Sequence, residues 1–126
     1  MWSEAGGMAI LDGDDGSSLL SRELVLPDRL NEVRSSDEGE WLLILSSGGI
    51  ALLESLESEP RFVQTPGPVL DAMHDGSRWR WTGWRHDGEL FDGAQMPKCA
   101  AREEVGVALV GNTVLTNDGD WDDFRV

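Results

Sequence analysis

Short apolar runs separated by turn residues organise this chain. Residues 41–46 and 50–54 are two runs of strand length on either side of Gly48-Gly49, and residues 105–110 and 113–116 flank Gly111-Asn112 in the same way. Runs of this length around a two-residue glycine turn predict β-hairpins, because tight hairpin turns need positive φ. Asp-Gly occurs six times, at Asp12-Gly13, Asp15-Gly16, Asp75-Gly76, Asp87-Gly88, Asp92-Gly93 and Asp118-Gly119, each a further turn signal. Residues 61–65 read as a strand stopped by Pro66-Gly67-Pro68, and residues 77–84 as another between His74-Asp75-Gly76 and His86-Asp87-Gly88.

Helical signals are few. Residues 27–34 begin with Pro27 and Asp28 in a plausible first turn, and residues 97–104 hold Ala100 and Ala101 before Gly106. The pattern predicts a mainly β fold: an antiparallel meander, sandwich or small barrel with one or two short helices. Residues 1–126 form a single domain on this reading, with 1–7 flexible and a loop over 13–18. The expected core is Leu42, Ile44, Leu52, Phe62, Val63, Trp79, Trp81, Val107, Leu109 and Val114.

Charge changes the picture. Twenty-four acidic residues against ten basic ones give a net charge of −14. Such a field repels phosphate backbones and anionic membranes, so no nucleic-acid or membrane partner is expected. Solubility, adaptation to high salt, or docking on a cationic protein would each account for it. Small acidic domains of this kind include immunity and inhibitor proteins, a likeness of composition that carries no motif. No apolar run approaches the ~18 residues of a membrane helix, and the first residues lack a basic-then-apolar leader. One cysteine, Cys99, allows no internal disulfide, which suits a reducing, cytoplasmic setting.

The densest local signal lies in Arg78-Trp79-Arg80-Trp81-Thr82-Gly83-Trp84-Arg85-His86, with no acid between Asp75 and Asp87. On a strand, Trp79 and Trp81 share one face and Arg78 and Arg80 the other. A bulge at Gly83 would re-aim Trp84 outward. The bland reading buries the indoles and pairs the arginines with carboxylates. The functional reading is a recognition patch of Trp84, Arg85, Arg78, Arg80 and His86, since Trp and Arg dominate interface hot spots.

Other chemistry finds little purchase. Asp118-Gly119-Asp120-Trp121-Asp122-Asp123 alternates carboxylates like a calcium loop, but the sixth position, which needs glycine, is Asp123. His74 and His86 bound one strand and would stand about 25 Å apart, too far to share zinc. There is no nucleophile elbow, phosphate loop or dinucleotide fingerprint, and a lone cysteine is more often a buried small hydrophobe. No metal, cofactor or catalytic residue is expected, and an enzyme is the least supported class. The leading expectation is a non-enzymatic acidic module that binds a protein with a cationic surface. A small-molecule-binding barrel or sandwich with a pocket lined by Trp79, Trp81 and Trp84 is the alternative. A homodimer is also expected, through the sparsely charged edges at Phe62-Val63 and 105–110.

Overall fold

The computed structural model describes residues 7–11, 14–15, 18–55, 57–94 and 96–126. Among them every regular element is a strand, and every pairing is antiparallel between neighbours in sequence. Strands β1 (Gly7–Leu11) and β2 (Ser18–Glu23) form a two-stranded ribbon. The first four-stranded sheet contains β3 (Leu30–Ser35), β4 (Trp41–Leu45), β5 (Ile50–Leu53) and β6 (Arg61–Val63), in that order. The second contains β7 (Val69–His74), β8 (Arg78–Gly83), β9 (His86–Phe91) and β10 (Lys98–Ala101), also in sequence order. A three-stranded sheet of β11 (Gly106–Val110), β12 (Thr113–Thr116) and β13 (Trp121–Asp123) completes the chain. Of the flexible start expected for 1–7, residues 1–6 lie outside the described residues. Of the loop expected over 13–18, residues 13, 16 and 17 do too, while 14 and 15 form a turn and Ser18 opens β2.

Both glycine hairpins form where the pattern placed them, β4–β5 around Gly48-Gly49 and β11–β12 around Gly111-Asn112. Two expectations need correction: neither short helix exists. Residues 27–34 lead into β3, which pairs along the long apolar β4 from Leu30↔Leu45 to Ser35↔Trp41. The ladder satisfies the backbone while Leu30 is buried beside Leu43 and Leu45, which outweighs two turns of weak helix propensity. Asp28 caps no helix; its carboxylate accepts from Arg29 N–H and Ser47 N–H, tying this segment to the β4–β5 turn. Residues 97–104 hold β10 instead, the outer strand beside β9.

The main core lies between the two four-stranded sheets. Leu42, Ile44, Ile50, Leu52 and Val63 of the first sheet meet Ala72, Trp79, Trp81 and Leu90 of the second. Eight of the ten expected core residues are buried. Phe62 and Val107 are not, at 48% and 39% exposure. Alternation on the three-residue β6 puts Val63 inward and therefore Phe62 outward. A register shift between Gly106 and Ala108 lets Val107 face out while Leu109 faces in. The first sheet also buries its other face, where Leu43, Leu45, Ala51 and Leu53 pack with Leu24 and Leu30.

The twin His-Asp-Gly triplets meet opposite fates. Asp75-Gly76 makes the β7–β8 turn, with Gly76 at φ 100°. Asp87-Gly88 is no turn: both residues are buried within β9. Gly88 is required there because the Trp81 indole lies where any side chain would project. Gly83 is likewise a close-approach glycine, pressed against Pro68 and Val69, and the expected bulge is in the partner strand, between Val69 and Asp71.

Candidate functional site

The outer face of the second sheet is polar and yet covered. Arg80 is 4% exposed; its Nη1 donates to Asn112 Oδ1 at 2.6 Å and its guanidinium lies over Phe124. Asp71 Oδ2 accepts from Leu109 N–H at 2.8 Å, holding β11 against β7. The heaviest anchor is Asp87 with Arg102, two side chains fully withdrawn from solvent and 2.6 Å apart. Asp87 also accepts from Thr82 Oγ1 and Arg125 N–H, and Arg102 donates onward to Asp122 and to the Asp123 carbonyl. Burial works against the charge on Arg102, but the hydrogen bonds and fields of Asp87 and Asp122 outweigh it and raise its pKa. These groups fasten the three-stranded sheet and the C-terminal residues onto the second sheet. With its donors and acceptors spent on one another, the cluster is structural.

One group of ligand-type side chains lies at the opposite end of β8. Glu38, Glu40, His74 and Asp92 present atoms within 4.8 Å of one another. His74 Nε2 is 3.3 Å from Asp92 Oδ1 and 3.5 Å from Glu40 Oε1, and its ring meets Trp79 edge-on. The tautomer decides what this cluster does. His74 Nδ1 accepts from Gly76 N–H, so the neutral ring carries its proton on Nε2, aimed at the two carboxylates. A metal on Nε2 would force that proton to Nδ1, where it would confront a second donor. The arrangement is a clasp in which His74 hydrogen-bonds Asp92, and Glu40 of the β3–β4 turn approaches the ring without a hydrogen bond to its Oε1. Burial, then repulsion from Asp92, pushes the Glu40 carboxyl up, and His74 partly offsets this.

The Arg-Trp stretch divides along the pleat. Trp79 and Trp81 are core, at 1% and 0% exposure, and His86 is buried at 1%. His86 Nδ1 donates to the Trp84 carbonyl at 3.2 Å, which faces the imidazole inward. Arg78 is half-buried, paired with Asp75 and Glu89 and lying over Phe91. Of the five residues singled out by sequence, the structure brings Trp84 and Arg85 together at the tip of the β8–β9 hairpin. It places Arg80 and His86 out of a partner's reach. Arg78, six residues from Trp84 along an extended chain, is about 20 Å away.

The tip itself is unusual. Trp84 and Arg85 make a two-residue turn between Gly83 and His86, which pair directly. Arg85 takes φ 60°, the one left-handed residue other than glycine among the described residues. A non-glycine residue there costs roughly 1–2 kcal/mol, and two backbone hydrogen bonds and one from the Arg85 side chain hold the geometry. Trp84 N–H donates to Pro68 O, Arg102 N–H to Arg85 O, and Arg85 Nε to Glu103 O. The Trp84 side chain rests by its Cβ and Cδ1 near Gly67 and is otherwise open, at 57% exposure. Beside it runs a shallow depression lined by Trp84, Arg85, Glu103, Glu104, Val105, Asn117 and Asp118. Glu103 and Asp118 are exposed, whereas Glu104 is partly buried near Arg102 and Arg125. Sequence reasoning missed this acidic wall, because its members follow Trp84 by some twenty to thirty positions and only the β10 and β12 turns bring them back.

Cys99 is exposed on β10, and partial desolvation pushes its thiol up, away from the thiolate a nucleophile needs. Among the described residues no helix is long and apolar enough to cross a membrane. Comparison with protein-family models, with curated proteins and with solved structures finds no match to this chain.

Proposed function

We propose that this chain is a non-enzymatic interaction module that docks on a partner protein with a cationic surface, using the Trp84–Arg85 tip as its anchor. The observation that carries the reading is Trp84. It is a large indole more than half exposed, on a turn whose strands are almost wholly buried. A rigid aromatic on a fixed platform loses little entropy on binding and is the commonest kind of hot spot. The surrounding charge of −14 favours encounter with a cationic partner. The lone exposed thiol suits a reducing, cytoplasmic location.

The alternative of a Trp-lined pocket is less well supported, because Trp81 lies against Gly88 and Trp79 against His74, in the core rather than around a cavity. Self-association has two candidate edges. Phe62 lies on the outer strand β6, while the 105–110 run forms β11, which already lies against β7 through Leu109 and Asp71.

The test is affinity capture from the native source with the wild-type chain and Trp84→Ala as parallel baits, at low and high salt. Proteins retained by the wild type at low salt, and lost both at high salt and on Trp84→Ala, are the expected result. Identical retention by both baits overturns the reading, and recovery of the chain itself as the sole Trp84-dependent species replaces it with a homodimer.

A further inference from the structure

We infer that the depression beside Trp84 is a seat for an arginine side chain of the partner, an inference that rests on the docking surface proposed above and names what it grips. Two of the chain's own aromatics show the cation–aromatic contact, while Trp84, like the exposed Phe62 and Trp121, carries no cation among the described residues but alone of the three lines a depression with three carboxylates. Phe91 carries the guanidinium of Arg78 at 5.4 Å and the ammonium of Lys98 at 5.8 Å, and Phe124 carries Arg80 at 5.3 Å. Among the described residues no cation of this chain lies over Trp84, whose indole is the better cation-π platform. Arg85, the nearest candidate in sequence, has its Nε committed to the Glu103 carbonyl.

The walls supply the complementary charge. Glu103 and Asp118 stand exposed on the rim, and Glu104 Oε2 is buried without a hydrogen bond, 3.6 Å from Arg125 and 3.7 Å from Arg102. An indole and carboxylates lining one depression match the two ways a guanidinium binds: its plane stacks on an aromatic, and its edge donates in a fork. Lysine offers only a point charge and loses the stacking. A phosphate or carboxylate ligand would face three carboxylates against the single lining guanidinium of Arg85, whose Nε is already held by the Glu103 carbonyl, and be disfavoured.

The experiment uses the intact chain and a capped Gly-Arg-Gly peptide, followed through the Trp84 indole and Asp118 amide resonances. A capped Gly-citrulline-Gly peptide, of the same shape without charge, is the control. The arginine peptide is expected to move both resonances with millimolar affinity, the citrulline peptide to leave them in place, and added salt to weaken the effect. Asp118→Asn and Glu103→Gln together are expected to weaken binding by about threefold or more, with unchanged thermal unfolding. Equal shifts from arginine and citrulline, or none from either, overturn the inference. The two proposals fail separately. If Trp84→Ala loses captured proteins while the arginine peptide does not bind, the docking surface stands and the arginine seat falls. If the peptide binds but Trp84→Ala retains every protein, the seat stands and the docking reading falls.

Discussion

Replacing each tryptophan of the hairpin by alanine separates the core from the surface. Trp81 is fully buried and Trp84 is 57% exposed, so less than half of its surface is covered. A tryptophan buries about 200 Å² when enclosed, and at ~25 cal/mol per Å² that corresponds to ~5 kcal/mol. Trp81→Ala and Trp79→Ala should therefore cost about 3–5 kcal/mol, cavity included. At Trp84 the Cβ near Gly67 survives in alanine and no cavity closes over the site. The covered part of Trp84 beyond Cβ is roughly 40–60 Å², worth about 1–1.5 kcal/mol. Urea denaturation followed by far-ultraviolet circular dichroism gives each midpoint without relying on the indoles as reporters. A further variant tests the polar end. The Trp81 indole N–H is buried without an acceptor, so Trp81→Phe removes an unsatisfied donor and should cost much less than Trp81→Ala. Equal midpoints for Trp84→Ala and Trp81→Ala would refute the assignment of Trp84 to the surface, and with it the docking reading.

Other perturbations follow from the same contacts. Gly88→Ala places a methyl in the space of the Trp81 indole and should cost about 1–3 kcal/mol, read as a lower urea midpoint. Asp87→Asn removes the one fully buried countercharge of Arg102, leaving it Asp122 and the more distant Glu104, and should cost about 3–5 kcal/mol, with early amide exchange in the three-stranded sheet. The Glu40 carboxyl is raised in the fold, so its contribution is stabilising below about pH 4.3 and is lost as pH climbs through the folded value. Glu40→Gln should therefore raise the melting temperature at neutral pH, with a gain that vanishes towards pH 4; a loss at neutral pH would show that the charged clasp stabilises. Arg85→Gly relieves the left-handed residue and should leave stability unchanged or raise it by up to about 1 kcal/mol, since the hydrogen bond to Glu103 is forfeited.

Strand content was legible where a run of apolar residues met glycine at a point needing positive φ, as at Gly48-Gly49 and Gly111-Asn112. The false helices arose because local propensity says nothing about a neighbour in need of a partner: β4 and β9 each had an edge to cover, and residues 30–35 and 98–101 cover them. Asp87-Gly88 misled for a related reason. The same dipeptide that makes a turn at Asp75-Gly76 serves in β9 as a buried countercharge and a space for an indole. Both uses exploit what the residues are, but only tertiary contacts select between them. The recognition patch was half legible. Alternation separated Trp79 and Trp81 from the arginines, while the burial of Arg80 and His86 depended on the three-stranded sheet and on the Trp84 carbonyl, neither visible in a local window.

The β8–β9 tip joins two features, a left-handed residue other than glycine and an open indole. The two hairpins best marked in the sequence turn through glycine, yet this tip uses tryptophan and arginine and holds Arg85 at φ 60° by hydrogen bonds to residues 102 and 103. A glycine at position 85 would make the same turn without strain. The chain also keeps Trp79 and Trp81 inside but leaves Trp84 open, as it does Trp121, and sets Trp84 beside Arg85 and three carboxylates. Conformational strain and apolar exposure each lower stability, and nothing in the packing of β8 against β9 requires either. Their coincidence on adjacent residues is what a site kept for binding would produce, since strain retained by surrounding contacts clusters where a surface is pre-organised for a ligand. The strain fixes the backbone that aims the indole, and the indole supplies the contact. Separating those two roles is within reach of Arg85→Gly, which frees the turn while leaving Trp84 in place.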